Sequence, residues 1–182
     1  MPGTLELAVP LVADAELSLE ALYQAHHAFV WRNARRLGCT DAWVDDAVHE
    51  VFLVVANRLR DFEGRSSPRT WLFAITYRVV LRMQRDRARY AKRLVSFAEQ
   101  HAGEGSAPAV EASRDLRELL LQLAEPKRLV FILVELEGFT AAEIAHTLGI
   151  SAGTVATRLR AARLELERIL QRQRARERSV LR

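Results

Sequence analysis

At 182 residues, 49% hydrophobic and 27% charged, the chain is long enough for one or two small domains with a buried core, and it is not disordered as a whole. No apolar run approaches the ~20 residues of a membrane span, and the opening MPGTLELAVPLVADAELSLE lacks the basic start of a signal peptide, so a cytoplasmic protein without membrane contact is expected. One cysteine, Cys39, excludes an internal disulfide and a CxxC zinc site, and the five histidines are scattered, so neither metal nor cofactor is expected.

The net charge of +4 is unevenly placed. Residues 1–64 carry −5, 65–95 carry +8, 96–126 carry −4, 127–152 carry −1 and 153–182 carry +6. Two basic blocks held apart by an acidic one suit two contacts with a polyanion.

Helical periodicity recurs along the chain, and strand-like alternation does not. A first helix is expected over about 18–37, with Leu19, Leu22, Tyr23, Val30 and Leu37 at compatible spacing. A second, over about 41–60, carries an inward stripe of Val44, Ala47, Val48, Val51, Phe52, Val55 and Leu59. Opposite that stripe lie Asp46, Glu50, Leu53 and Asn57, a face both acidic and apolar. Such a face is wrong for DNA and right for a protein partner.

The segment DFEGRSSP (61–68) interrupts the pattern with Gly64 and Pro68. A third helix is expected from near Ser67 into the low 90s. At 100° per residue, Trp71, Arg78, Arg82, Arg85 and Arg89 share one side, while Leu72, Ile75, Val79 and Met83 share the next. One helix therefore packs by one side and offers an arginine ladder on the other, for which a phosphate backbone is the natural partner. Trp71 is expected to pack on the core ahead of stacking on an unpaired base.

Residues 96–113 are poor in large apolar side chains and read as a flexible acidic linker. Helices near 115–123 and 126–136 follow, then a helix-turn-helix. Thr140 and Glu143 make a capping box, Ile144 and Leu148 face inward, Gly149 supplies the turn and Ser151 caps the last helix. That helix packs by Val155, Leu159, Ala162 and Leu166. Its N-terminal end is the part that enters a major groove. Ala152, Gly153, Ala156, Thr157 and Arg160 then face DNA, with Arg158 and Arg163 near phosphates. The tail QRQRARERSVLR is expected to fray. The expected fold is all-α, with two small helical domains over 15–95 and 114–172 joined by the linker 96–113.

DDAVHEVFLVVANRLRDFEGRSSPRTWLFAI resembles region 2 of bacterial RNA polymerase sigma factors, and LAEPKRLVFILVELEGFTAAEIAHTLGISAGTVATRLRAARLEL resembles their region 4. Both are most similar to the short extracytoplasmic-function (ECF) group, over roughly residues 18–172. The resemblance implies a non-enzymatic protein that binds core RNA polymerase, directs it to promoter DNA and helps open the −10 element. It places Asp45, Asp46, His49, Glu50, Leu53 and Asn57 against the clamp helices of the largest polymerase subunit, and the C-terminal domain against the flap. It places Arg65, Ser66, Trp71, Arg78, Arg82, Arg85 and Arg89 at the −10 element. It places Ser151, Ala152, Gly153, Thr154, Ala156, Thr157, Arg158, Arg160 and Arg163 at the −35 element. The linker would follow the catalytic cleft and RNA exit path.

The chain departs from the family pattern where an Asn and an Asp are common and it has Arg78 and Arg82. His49 stands for a usual glutamine, and Ala156 and Ala161 stand for a lysine and an arginine of the recognition helix. The chain ends at residue 182 without a long regulatory extension, so control by a separate anti-sigma protein is expected. Two other readings compete: a helix-turn-helix regulator that never joins polymerase, and a decoy that keeps the fold without promoter activity. No Ser/His/Asp order or phosphate-cradling glycine loop supports an enzyme.

Overall fold

A computed structural model describes residues 18–98 and 114–180 of the chain. Helix α1 spans Leu19–Arg36, α2 Val44–Arg58 and α3 Pro68–Ala98; α4 spans Arg114–Leu121, α5 Glu125–Phe131, α6 Ala141–Leu148 and α7 Ala152–Val180. A 3₁₀ turn, Leu59–Asp61, follows α2, and a wide π turn, Ile132–Leu136, extends α5. No strand occurs among the described residues. Helices α1, α2 and α3 pack on one another, and α4 to α7 form the second unit.

Local chemistry explains the boundaries. The Ala21 backbone N–H donates to the Ser18 hydroxyl at 3.1 Å, which starts α1. The turn from Thr40 to Trp43 delays α2 to Val44, three residues later than its periodicity predicts. Thr70 N–H donates to the Ser67 hydroxyl at 3.2 Å and starts α3 at Pro68, a residue whose missing N–H is harmless in a first turn. Pro126 does the same in the first turn of α5.

The α2 stripe is buried as expected, with Val51 and Val55 fully enclosed and Leu59 partly so. The α1 stripe is not the expected one. Leu19 and Tyr23 remain 38% and 44% exposed, because the first turns lie at the rim of the bundle. The Tyr23 ring nevertheless leans on Phe52 at 4.7 Å. Phe29, Asn33 and Ala34 turn inward with Leu22, Val30 and Leu37 instead.

Two ends also differ from expectation. Helix α3 continues through Ala98, three residues into the expected linker, whose remaining residues 99–113 lie outside the described residues. Helix α7 does not stop near residue 172 but continues to Val180. The tail contains no glycine or proline, and its arginines, glutamines and glutamates have high helix propensity.

The buried side chains form one continuous cluster through both units, from Leu22 in α1 to Ile169 in α7. Phe139, between the π turn and α6, is 8% exposed and lies 6.3 Å from the Phe73 ring of α3. Burying such a side chain contributes roughly 1.5–3 kcal/mol. The two units are therefore docked on each other.

Candidate functional site

Helix α2 carries its candidate partner face on the side opposite the core. Asp45, Asp46, His49, Leu53 and Asn57 are exposed and Glu50 is half-exposed. Leu53, at 46%, is a large apolar side chain left open among acids. Asp45 is steadied by the Trp31 indole N–H, which donates to it at 3.1 Å. Asp46, His49 and Glu50 line a shallow hollow shared with Arg82, Met83 and Asp86 of α3.

The structure connects two sets that the sequence kept apart, because Arg82 of the arginine ladder donates to the Glu50 carboxylate. Arg89 likewise pairs with Asp86 one turn away, and Arg65 pairs with Glu63. Arg78 and Arg85 are exposed on the same side of α3. Arg58 of α2 joins Arg78 and Arg82 around a groove of about 190 Å³ floored by Val54, Ile75 and Val79. Sequence reasoning followed α3 alone and missed Arg58, although its place on the polar side of α2 was the available signal. Trp71 is half-buried, with its ring 4.9 Å from Phe62, and Ser66, five positions earlier, is also half-buried.

The helix-turn-helix is built as its sequence predicts. Thr140 N–H donates to the Glu143 carboxylate at 2.8 Å, and Glu143 N–H donates back to the Thr140 hydroxyl at 3.3 Å. The Thr140 N–H and the Thr140 hydroxyl, which both donate to the Glu143 carboxylate at 2.8 Å, hold that carboxyl below its ordinary pKa. Gly149 takes φ +65°, which a side chain would disfavour, and Thr154 N–H donates to the Ser151 hydroxyl at 3.1 Å. Ser151, Ala152, Gly153, Ala156, Thr157 and Arg160 are consequently exposed at the start of α7, with Thr154 half-buried among them. Arg163 is exposed but pairs with Glu135. Arg158 is half-buried and lines a groove of about 240 Å³ with Tyr77 and Arg78 of α3.

Sequence reasoning missed the contact between the two units. Glu137, at the end of the π turn, is 7% exposed. Its carboxylate accepts from Asn33 Nδ2 at 3.1 Å, from Arg69 Nη2 at 2.8 Å and from Arg36. The Arg69 guanidinium also lies 4.9 Å from the Phe29 ring and 5.7 Å from the Phe139 ring. Nearby, the Tyr77 hydroxyl donates to Glu125 at 2.6 Å, and burial together with that bond pushes its pKa up to about 12. His26 is pushed down by burial and by Arg69. Asn33 gave a signal: a polar residue at i+4 from Phe29 and i−4 from Leu37 sits on a buried stripe and needs a partner.

Among the described residues no group of histidines, cysteines or acids could hold a metal ion. None of the described helices is long and apolar enough to cross a membrane. Cys39 is fully enclosed, and burial raises its thiol pKa to about 12, which keeps it unreactive.

Comparison with known proteins fits this division. Residues 22–90 match the family model for sigma-70 region 2, and residues 113–166 match that for sigma-70, region 4. The ECF RNA polymerase sigma factor SigL of Mycobacterium tuberculosis is 34% identical over 167 residues, spanning 86% of this chain and 94% of that protein. The chain belongs to the ECF RNA polymerase sigma factor family. The RNA polymerase sigma factor YlaC of Bacillus subtilis is 31% identical, spanning 88% of this sigma factor and 96% of that one. Among solved structures, CnrH in complex with the cytosolic domain of CnrY is 28% identical, with a TM-score of 0.62 over 84% of this chain and 87% of that one. The sigma factor RpoE in complex with the anti-sigma factor NepR from Bartonella quintana shares the fold, at 24% identity and a TM-score of 0.63 over 84% of this chain and 96% of that one.

Proposed function

We infer that this chain is an ECF-type sigma factor that binds core RNA polymerase, directs it to specific promoters and helps open the −10 element. The observation that carries this reading is the pairing of sigma regions 2 and 4 in one chain, matched across nearly the full length of SigL. A helix-turn-helix regulator that never joins polymerase leaves the acidic-apolar face of α2 and the arginine side of α3 without a purpose. The comparisons give that reading no support.

Each surface has a role in this account. The exposed face of α2 around Asp46, Glu50 and Leu53 binds the clamp helices of the largest polymerase subunit, its acids meeting basic side chains and Leu53 an apolar pocket. The arginine side of α3 holds the −10 strand by its phosphates, and Trp71, half-buried, holds the start of that helix in place. The start of α7 reads the −35 element, with Arg160 as its longest exposed donor to base edges. The second unit, over 114–172, also meets the polymerase flap. The chain acts by positioning polymerase and catalyses nothing itself, and it works in the cytoplasm, where polymerase and promoter are. An anti-sigma protein is the regulator we assign, a reading supported by CnrH, which is seen in complex with the cytosolic domain of a second protein.

Co-purification tests the first step. Tagged sigma factor mixed with purified core polymerase should elute with it as a one-to-one complex. The complex should protect a promoter fragment that neither component protects alone. Protection by the sigma factor alone, with no polymerase in the eluate, would instead support the regulator reading.

A further inference from the structure

We propose that Glu137 is a latch that holds the sigma factor in a closed form unable to span a promoter, and that breaking it is a step toward polymerase and DNA. The proposal rests on the sigma-factor reading above for its purpose and on geometry for its mechanism.

In the docked arrangement, Arg78 of α3 and Arg158 of α7 line the same groove. One belongs to the set assigned to the −10 element and the other to the set assigned to the −35 element. By their labels those elements lie about 25 base pairs apart, roughly 85 Å along B-DNA at 3.4 Å per base pair. A single small groove cannot deliver both sets to sites that far apart on one straight duplex. The two units must separate before both can be read.

The polar part of the contact between the units converges on one side chain, beside the apolar contact of Phe139 with Phe73. The Glu137 carboxylate is the shared acceptor for Asn33 and Arg36 of α1 and for Arg69 of α3. Its side chain is 1% exposed, so water reaches it only when the units part. A buried carboxylate is tolerated where it is paired and hydrogen-bonded, and here all its partners come from the other unit. Phe139, two residues on, lies against Arg69 and Phe73 and closes the same contact. Tyr77 and Glu125 add a further hydrogen bond across the groove at 2.6 Å. When the units part, water or competing charges replace these partners, so the latch opens without unfolding either unit. Arg69 opens the third helix, so the latch also ties up the start of the element assigned to strand opening.

The test uses the full chain with spin labels at Arg60→Cys and Glu167→Cys, both exposed and outside every assigned contact set, with the buried Cys39 left in place. Paired-label distances should show one short, narrow population in the parent. Glu137→Gln should add a second, longer and broader population, and Tyr77→Phe a smaller shift in the same direction, with helix content unchanged by circular dichroism. Glu137→Gln should also bind core polymerase several-fold more tightly than the parent. Folded variants that keep the single short distance overturn the latch. A parent that is already broadly extended overturns it as well, and so does an opened variant that binds polymerase no better than a binding-competent parent. Opening in Glu137→Gln with no polymerase bound by either protein supports the latch while removing the sigma-factor reading on which its purpose rests.

Discussion

Arg82 of α3 and Glu50 of α2 form an ion pair across the surface where the candidate polymerase face meets the candidate DNA face. Both side chains are substantially exposed, 55% and 41%, so the pair itself contributes only about 0–1 kcal/mol to stability. Its interest is functional, since a change at Glu50 alters two surfaces.

Asp46→Arg combined with Glu50→Arg should abolish association with core polymerase and leave the fold intact, because neither side chain is buried. Arg82→Ala should leave polymerase association near the parental level. Pull-down of polymerase subunits checks both, beside thermal unfolding. Unchanged pull-down by the folded double variant would remove this face from the interface.

The arginine side of α3 should set the salt dependence of promoter binding. Each lost phosphate contact lowers the slope of log K against log salt by about 0.7–0.9. Arg85→Ala should show that full decrement. Arg82→Ala should show less, because Arg82 divides its charge with Glu50. Titration of the polymerase complex on promoter DNA from low to high salt measures both. Equal, parental slopes would reduce the ladder to a solvated face.

The capping box makes region 4 sensitive to acid. Thr140→Ala should cost about 1 kcal/mol, the usual loss of an N-cap. The carboxyl of Glu143 titrates below its ordinary value in the folded chain, so its contribution is present above the ordinary carboxylate range and is lost as pH falls through the folded pKa. Glu143→Gln should therefore flatten the acid side of the stability profile. Thermal unfolding from pH 7 to pH 3 gives the comparison.

The helix-turn-helix was legible because its signals are local: the Thr140 and Glu143 cap, the Gly149 turn and the Ser151 cap lie within twelve residues. The core stripe of α2 and the arginine side of α3 were legible for the same reason, since periodicity needs only the helix itself. The docking of the two units was not. Asn33 and Glu137 are 104 positions apart, and no period links them. A single acid before Gly138 looks like any solvated glutamate until its partners are known. The rim position of Tyr23 was equally hidden, since a spacing rule shows which residues share a face but not where the neighbouring helix ends. The length of α7 was not legible either, since a polar tail without an apolar stripe carries no periodic signal, although its residue types have high helix propensity.

Cys39 should resist alkylation in the folded chain. Its thiol is enclosed and its pKa is raised from 9.0 to about 12 by burial. Iodoacetamide at pH 8 should leave the native protein unmodified by mass spectrometry and modify it fully in denaturant. The same shift makes a sign prediction. A thiol favoured in its neutral form contributes stability below pH 9 that is lost as pH rises toward 12, and Tyr77 adds to the loss over its upper part. Rapid alkylation of the native chain would contradict the packing around α1.

Transcription in a purified system decides whether the chain acts as a sigma factor. Purified sigma factor and core polymerase, on supercoiled DNA carrying a library of candidate promoters, should start RNA chains at defined positions that core polymerase alone does not use. Arg160→Ala should weaken preference among −35 sequences, whereas Asp46→Arg with Glu50→Arg should silence initiation on all of them. Permanganate should detect unpaired thymines upstream of each start only in the complete mixture. Start sites that do not depend on the added chain, or a complex that binds promoters and never opens them, would rule out a sigma-factor role.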